Sequence, residues 1–148
     1  MVTTELFEPS NAVDASAKKL GEYLMPMYQK YWAEEDKQSP LDFNVTAFLD
    51  MWFAHGCRVI ISKRDDKPVG FCVCLIYRPM TYNRVVFHVQ DIWWEDEEVY
   101  NSILSYIPKV ARIIGCDEIK INTVIDTINF RGWVKQTEEK TFVYTKLE

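Results

Sequence analysis

The segment from Val69 to Tyr77 constrains the fold most strongly, because it is a predicted strand with apolar residues on both faces. One face carries Phe71, Val73 and Leu75, and the other carries Cys72, Cys74 and Ile76. A strand that avoids water on both sides belongs in the centre of a sheet whose two faces are covered. The chain is therefore expected to build a covered sheet around this segment.

The flanking patterns predict elements on either side of this strand. Before it we expect a strand at 3–7, a helix from near Asn11 or Asp14 that Pro26 kinks or divides, a helix capped by Asn44 and ended by Gly56, and a strand at 58–62. After it we expect a strand from Arg84 to about Trp94, a helix from Glu97 to Gly115 that Pro108 bends, a strand at 118–124, a short helix at 125–131, and strands at 133–137 and 141–146.

Length and charge limit the class of protein. With 148 residues, 48% of them hydrophobic, the chain suits one compact domain spanning residues 1–148. Its net charge of −5 argues against binding to nucleic acid or to an anionic membrane, since both require a concentrated basic surface. No secretory signal or apolar run of about 20 residues is present, so we expect a cytoplasmic protein without membrane association.

The cysteines and histidines do not form a recognisable metal motif. Cys57, Cys72, Cys74 and Cys116 lack the paired C-x-x-C spacing of zinc sites, and most of them sit in or beside apolar runs. We expect buried free thiols and no bound metal. Disulfides are a minor alternative, and His55 is expected to be structural.

Two residues of the strand from Arg84 to Trp94 are candidate general bases. Alternation places Val85, Phe87, Val89, Asp91 and Trp93 on one face, and His88 and Gln90 on the other. Among apolar neighbours Asp91 could have a raised pKa and accept a proton from an amine. The alternative is a strand-end carboxylate that pairs with an arginine or lies at an exposed edge. His88 is the second candidate base, and its alternative is also a structural role.

The element order over nearly the whole chain resembles the GCN5-related N-acetyltransferase (GNAT) superfamily. The closest local matches are the strand 89–94, the helix end at Gly115-Cys116, the strand 117–124, and Gly132-Trp133 in the place of the family's Gly-Phe. This resemblance implies an α/β (α+β) fold with a mixed, mostly antiparallel central sheet flanked by helices. It also implies transfer of an acyl group from acyl-coenzyme A to an amine.

The turn before the predicted cofactor helix departs from the family. Members hold the diphosphate on a turn of the form Q/R-x-x-G-x-G/A, whereas this chain reads Trp94-Glu95-Asp96-Glu97-Glu98 and has no glycine between Gly70 and Gly115. Four acids repel a phosphate, and they are expected to stabilise the positive end of the helix themselves. The segment 129–133 also lacks the tyrosine that the family places near the leaving thiolate.

These departures favour a catalytically degenerate acetyltransferase-like domain that binds another protein and uses no cofactor. Degenerate members of the family include accessory and virion-associated proteins of bacteriophages. The contact surface would use the exposed members of an aromatic set, namely Tyr82, Trp93, Trp94, Tyr100 and Trp133. The alternative is an active N-acyltransferase that holds acetyl-coenzyme A in an atypical turn. A third hypothesis, acidic mimicry of nucleic acid, rests on the cluster from Asp91 to Glu98.

Overall fold

The computed structural model describes residues 1–7, 14–34, 57–80, 83–122, 130, 133–138 and 141–146. Its elements are β1 (Val2–Phe7), α1 (Asp14–Glu34), β2 (Cys57–Arg64), β3 (Lys67–Tyr77), β4 (Val86–Trp94), α2 (Glu97–Ile114), β5 (Glu118–Asn122), β6 (Trp133–Glu138) and β7 (Thr141–Lys146). The helices predicted at 44–56 and 125–131 lie outside the described residues.

These strands form one sheet in the order β1-β2-β3-β4-β5-β7-β6. Neighbouring strands run antiparallel except β4 and β5, which are parallel. A parallel pair needs a crossover connection, and α2 supplies it. The predicted mixed, mostly antiparallel sheet flanked by helices is confirmed.

Each face of the sheet carries its own apolar cluster, and β3 contributes to both. Phe71 and Val73 pack with α1, whereas Cys72 and Cys74 pack with α2. The side chains of α1 in this packing are Leu20, Leu24, Met27 and Tyr28, and those of α2 are Val99, Ile103, Ile107, Val110 and Ala111. The two-sided burial predicted for β3 is therefore confirmed.

Both helices continue through an internal proline. α1 is unbroken at Pro26 and α2 is unbroken at Pro108, so of the two outcomes predicted at Pro26, a kink or a division, the division does not occur. Each proline lacks one backbone donor, and packing of the buried stripe against the sheet compensates for that loss. Gly115 ends α2 as predicted, with φ of 91° and its N–H bonded to the carbonyls of Ala111 and Arg112.

A tight hairpin between β2 and β3 fixes the position of Arg64. Asp65 and Asp66 both have positive φ, 52° and 63°, the pattern of the two-residue turns that match the twist of a hairpin. This geometry ends β2 at Arg64, beside the start of α2.

Gly70 on β3 allows α2 to lie close to the sheet. A Cβ placed there would lie 2.5 Å from Val99 Cγ1 and 3.0 Å from Ile103 Cδ1. We expect Gly70→Ala to lower the free energy of unfolding by about 1–3 kcal/mol, because α2 must move outwards. Chemical denaturation measures this loss. Adding Val99→Ala to Gly70→Ala should cost less than the sum of the two single changes, and strict additivity would contradict the proposed contact.

Candidate functional site

A β-bulge at Gln90 interrupts the regular alternation of β4. After the bulge, odd-numbered side chains lie on the opposite face of the sheet from those before it. Val89 pairs with Cys74 and Asp91 pairs with Val73, so Gln90 is an extra residue in β4. Phe87 and Val89 consequently pack on the α2 face, whereas Trp93 packs on the α1 face and Asp91 bonds to α1 there. The prediction that Phe87, Val89, Asp91 and Trp93 share one face was wrong, because simple alternation fails at the extra residue.

Among the described residues, the parallel pairing of β4 with β5 ends just before the same bulge. Their parallel pairing runs from Val86 opposite Glu118 to Val89 opposite Ile121. β4 continues to Trp94, and within the described chain no strand pairs with residues 90–94 on the β5 side. We call this segment the open edge of β4. Clefts at the carboxyl ends of parallel strands are common binding sites in α/β sheets.

Backbone alternation shows which main-chain groups of β4 point away from β3. The N–H of Glu95 donates to the carbonyl of Val69 on β3, at 2.9 Å. Successive residues of an antiparallel strand direct their N–H and C=O groups to opposite sides. The backbone groups of Ile92 and Trp94 therefore face away from β3.

The helix that begins at the end of the open edge is capped by its own acid. Asp96 has an extended backbone, and its Oδ1 accepts a hydrogen bond from the N–H of Val99 at 3.1 Å. Arg64 donates to Asp96 Oδ2 at 2.9 Å and to Glu98 Oε2 at 3.3 Å. The hydrogen bond from Arg64 holds the pKa of Asp96 below its usual value. The acids therefore stabilise the helix start as expected, with a partner that the sequence did not reveal.

This turn does not fit the diphosphate of an acyl-coenzyme A. The N–H of Val99 already bonds to a carboxylate, and Glu95, Asp96, Glu97 and Glu98 are all exposed around it. A diphosphate needs free N–H groups and a positive potential at a helix N-terminus. Both are replaced here by negative side chains.

Asp91 connects β4 to α1. It accepts hydrogen bonds from the hydroxyls of Tyr28 at 2.8 Å and Tyr31 at 3.2 Å, one on each carboxylate oxygen. Burial, followed by the nearby charge of Asp91, raises the pKa of Tyr28 well above its usual value, so this phenol stays protonated and donates. Two tyrosines thus hold the carboxylate, in place of the arginine or the exposed edge given as the alternative to a general base.

His88 lies on the same face of β4 as Asp91, without a hydrogen bond between these two described side chains. Its Nδ1 is 3.1 Å from the hydroxyl of Tyr77, and its Nε2 is buried without a hydrogen-bond partner. Burial, and then the charge of Lys120, lowers the pKa of the imidazole. A neutral imidazole with one free ring nitrogen could accept a proton.

The aromatic interface candidates divide into two groups. Trp93 and Trp133 are only 5% and 4% exposed and belong to the core, each with a basic side chain over its ring, so they are not among the exposed members of the set. Trp94 and Tyr100 are half-buried and stack on each other, with ring centroids 4.2 Å apart. Tyr82 lies outside the described residues.

The described residues include four buried cysteines but neither a metal-binding cluster nor a membrane-spanning helix. All four cysteines are buried free thiols, as predicted, and burial raises the pKa of Cys57 to about 12 and that of Cys116 to about 11. Among the residues the structure describes, no cluster of three or more His, Cys, Asp or Glu side chains could hold a metal. None of the helices in that same part of the chain is long and apolar enough to cross a membrane.

Solved structures share this architecture. No family model matches the chain, and no curated protein matches it. An acyl-CoA N-acyltransferase from Pseudomonas aeruginosa superposes with a TM-score of 0.65 over 99% of both chains, at 10% identity. The fold is that of the GCN5-related N-acetyltransferases. A GNAT family acetyltransferase from Staphylococcus aureus superposes with a TM-score of 0.62, at 14% identity, over 93% of this chain and 94% of its own.

An aminoglycoside acetyltransferase has a similar TM-score. An aminoglycoside acetyltransferase from an uncultured soil metagenomic sample, solved in complex with sisomicin, gives a TM-score of 0.64 at 7% identity, over 82% of this chain and 77% of its own. At such identities the likeness concerns the GNAT fold alone. The likeness carries no information about activity, which depends on individual side chains.

Tyr28→Phe tests the role of Asp91 in joining α1 to β4. We expect the free energy of unfolding to fall by roughly 1.5–3 kcal/mol, because a half-buried carboxylate loses its shorter hydrogen bond. Tyr31→Phe is the matched control and should cost less, since its bond is longer and its side chain is half-buried. Urea denaturation compares the two variants, and equal losses would contradict this role.

The lowered pKa of His88 predicts a pH-dependent stability. In the unfolded chain histidine titrates near its ordinary value of about 6.5. As the pH falls below that value, the unfolded state binds a proton that the folded state resists, so stability falls down to the folded pKa. We expect the wild type to lose more stability than His88→Asn between about pH 7.5 and about pH 5. Parallel losses measured by denaturation at both pH values would contradict this.

Proposed function

We propose that this GNAT-fold protein is a non-catalytic relative of the acetyltransferases and acts by binding another protein. The observation that carries the proposal is the arrangement at the start of α2. Asp96 occupies the helix N-terminus and Arg64 fixes its carboxylate, so the position a diphosphate would need is already filled. We also predict an accessory or virion-associated role, as in the degenerate members of the family that bacteriophages encode.

Several effects would oppose the binding of a diphosphate in place of this cap. An incoming diphosphate would have to break the bond from Val99 N–H to Asp96 and the contacts of Arg64. It would then lie against Glu95 and Glu97, for which the structure shows no ion pair among the described residues. Each effect weakens acyl-coenzyme A binding, and all act at the same point.

Two further positions support a non-catalytic role. Asp91 is engaged by two hydroxyl donors, which leaves it poorly placed to accept a proton from an amine. Phe130 stands in the segment where the family has its tyrosine, and it is buried, with its ring centroid 4.6 Å from that of Tyr144. This residue of the segment serves packing of the core.

The alternative function is N-acyl transfer from an acyl-coenzyme A held in an atypical manner. The observation favouring it is His88, whose free Nε2 and lowered pKa suit a general base. In this mode the donor would have to be held without the turn at Glu95–Glu98.

Acetyl-coenzyme A separates these two functions. We expect ~1 mM acetyl-coenzyme A to leave the thermal midpoint unchanged, because the proposed function excludes its binding. A ligand that binds the folded state would raise the midpoint by mass action. Isothermal titration should likewise show no heat of binding. A saturable rise in the midpoint would overturn the non-catalytic proposal and favour the alternative.

A loop replacement provides the control. Replacing residues 95–98 with a glycine-containing sequence of the family pattern removes the acids and restores flexible backbone. Binding of acetyl-coenzyme A to this variant alone would identify the acids as the obstacle. The protein-binding half of the proposal is tested by affinity capture with the intact chain, and failure to retain any protein from the native host would contradict it.

A further inference from the structure

We infer that β1 is a strap that holds the start of α2 closed on the sheet, so that β1 and the first turns of α2 open together. The strap acts at the helix start where Asp96 and Arg64 form the cap, but it requires no bound partner and so goes beyond the proposed function. Two connections join β1 to this helix start. One is a chain of hydroxyl groups, and the other passes through Arg64.

The first connection is a chain of three hydroxyl groups that joins β1, β2 and α2. Oγ1 of Thr4 lies 2.8 Å from Oγ of Ser62 and 2.6 Å from Oγ of Ser102. Ser62 is fully buried, whereas Thr4 and Ser102 are half-buried. A buried hydroxyl that loses its partner still bears the cost of leaving water. Thr4 therefore stabilises Ser62 and connects the sheet to α2 through one oxygen.

Ser102 bonds to β1 although its own helix offers an acceptor. Three residues further along α2, Ser105 donates to the carbonyl of Asn101 at 2.6 Å, in the usual pattern of a helical serine. The hydroxyl of Ser102 lies against Thr4 instead. This contact therefore fixes the second turn of α2 relative to β1, beyond merely satisfying a polar group.

The face of β1 that carries Thr4 is the face that α2 covers. Val2 and Leu6 alternate with Thr4 and pack against the apolar cluster of α2, whereas Phe7 packs on Tyr23 of α1. Among the described strands, β1 stands at the end of the sheet with β2 as its one neighbour. A strand with one neighbour has fewer hydrogen bonds to break on local opening than a central strand has. β1 is thus a place where opening can begin, and α2 is attached to it.

The second connection passes through Arg64 at the end of β2. Val2 lies opposite Arg64 in the pairing of β1 with β2. The guanidinium of Arg64 donates to Asp96, whose carboxylate accepts from the N–H of Val99. Separation of β1 from β2 therefore loosens the strand end that carries Arg64, and with it the cap of α2. Both connections reach the first two turns of the helix.

Thr4→Val tests the strap, because valine keeps the shape and strand preference of threonine but forms no hydroxyl bond. Amide hydrogen exchange of the intact chain, followed by nuclear magnetic resonance, measures local opening. We expect the amides of Val99, Tyr100 and β1 to exchange at least about fivefold faster in this variant. The amides of Gly115 and Cys116, which bond to the other end of α2, should change less than about twofold.

Matched variants separate the hydroxyl chain from a general effect on β1. Thr3 is the exposed neighbour of Thr4, and Thr3→Val should leave exchange at the start of α2 unchanged. Thr4→Ser restores a hydroxyl and should recover most of the protection. Ser102→Ala breaks the chain from the side of α2 and should speed exchange in β1 as well. It also keeps the test available if Thr4→Val does not fold. The effects of Thr4→Val and Ser102→Ala on opening should combine to less than their product.

Three results would overturn the inference. Faster exchange confined to β1 in Thr4→Val would show that β1 opens without α2. Equal acceleration at Val99 and Gly115 would show a loss of global stability and no strap. An unchanged rate at Val99 in both Thr4→Val and Ser102→Ala would show that the hydroxyl chain does not hold the helix start. The binding of acetyl-coenzyme A is measured separately, so the strap and the non-catalytic proposal can each fail alone.

Discussion

Burial of β3 on both faces is the constraint on which the described structure depends. An apolar strand of this kind has to be covered twice, by α1 on one side and α2 on the other. Gly70 then sets how closely α2 can approach, since a side chain there would collide with Val99. Because α2 starts directly after β4, the distance at which α2 packs on the sheet also fixes where the N-terminus of α2 lies relative to the end of β4. The candidate site is thus positioned by packing that takes place beneath it.

One extra residue converts this packing into a site. If Gln90 were paired in regular alternation, Phe87, Val89 and Asp91 would lie along the same face. The bulge instead turns Asp91 towards the tyrosines of α1 and coincides with the point where β4 and β5 stop pairing. Bulges are frequent where a sheet has to redirect a side chain or end a ladder, and this one does both.

Local patterns were enough to predict much of this arrangement. The faces of β3, the termination of α2 at Gly115 and the stabilisation of its start by acids all depend on neighbours in sequence, and all are confirmed. The bulge at Gln90, the partnership of Arg64 with Asp96 and the tyrosines around Asp91 were missed, because each depends on register or on contacts 32 to 63 residues apart. The face of the sheet that Trp93 joins was missed for the same reason, since the bulge decides it.

The acids at the start of α2 have an effect on binding that their effect on stability does not reveal. Exposed ion pairs such as Arg64 with Asp96 contribute little to folding, because water and salt screen them. A ligand, however, must displace these groups and then remain beside the ones left unpaired. For a diphosphate both steps are unfavourable, whereas a lysine or arginine displaces nothing and meets opposite charge. Interactions too weak to determine the fold can therefore determine which class of ligand the fold accepts, and here they oppose the ligand whose phosphates a helix start of this kind otherwise holds.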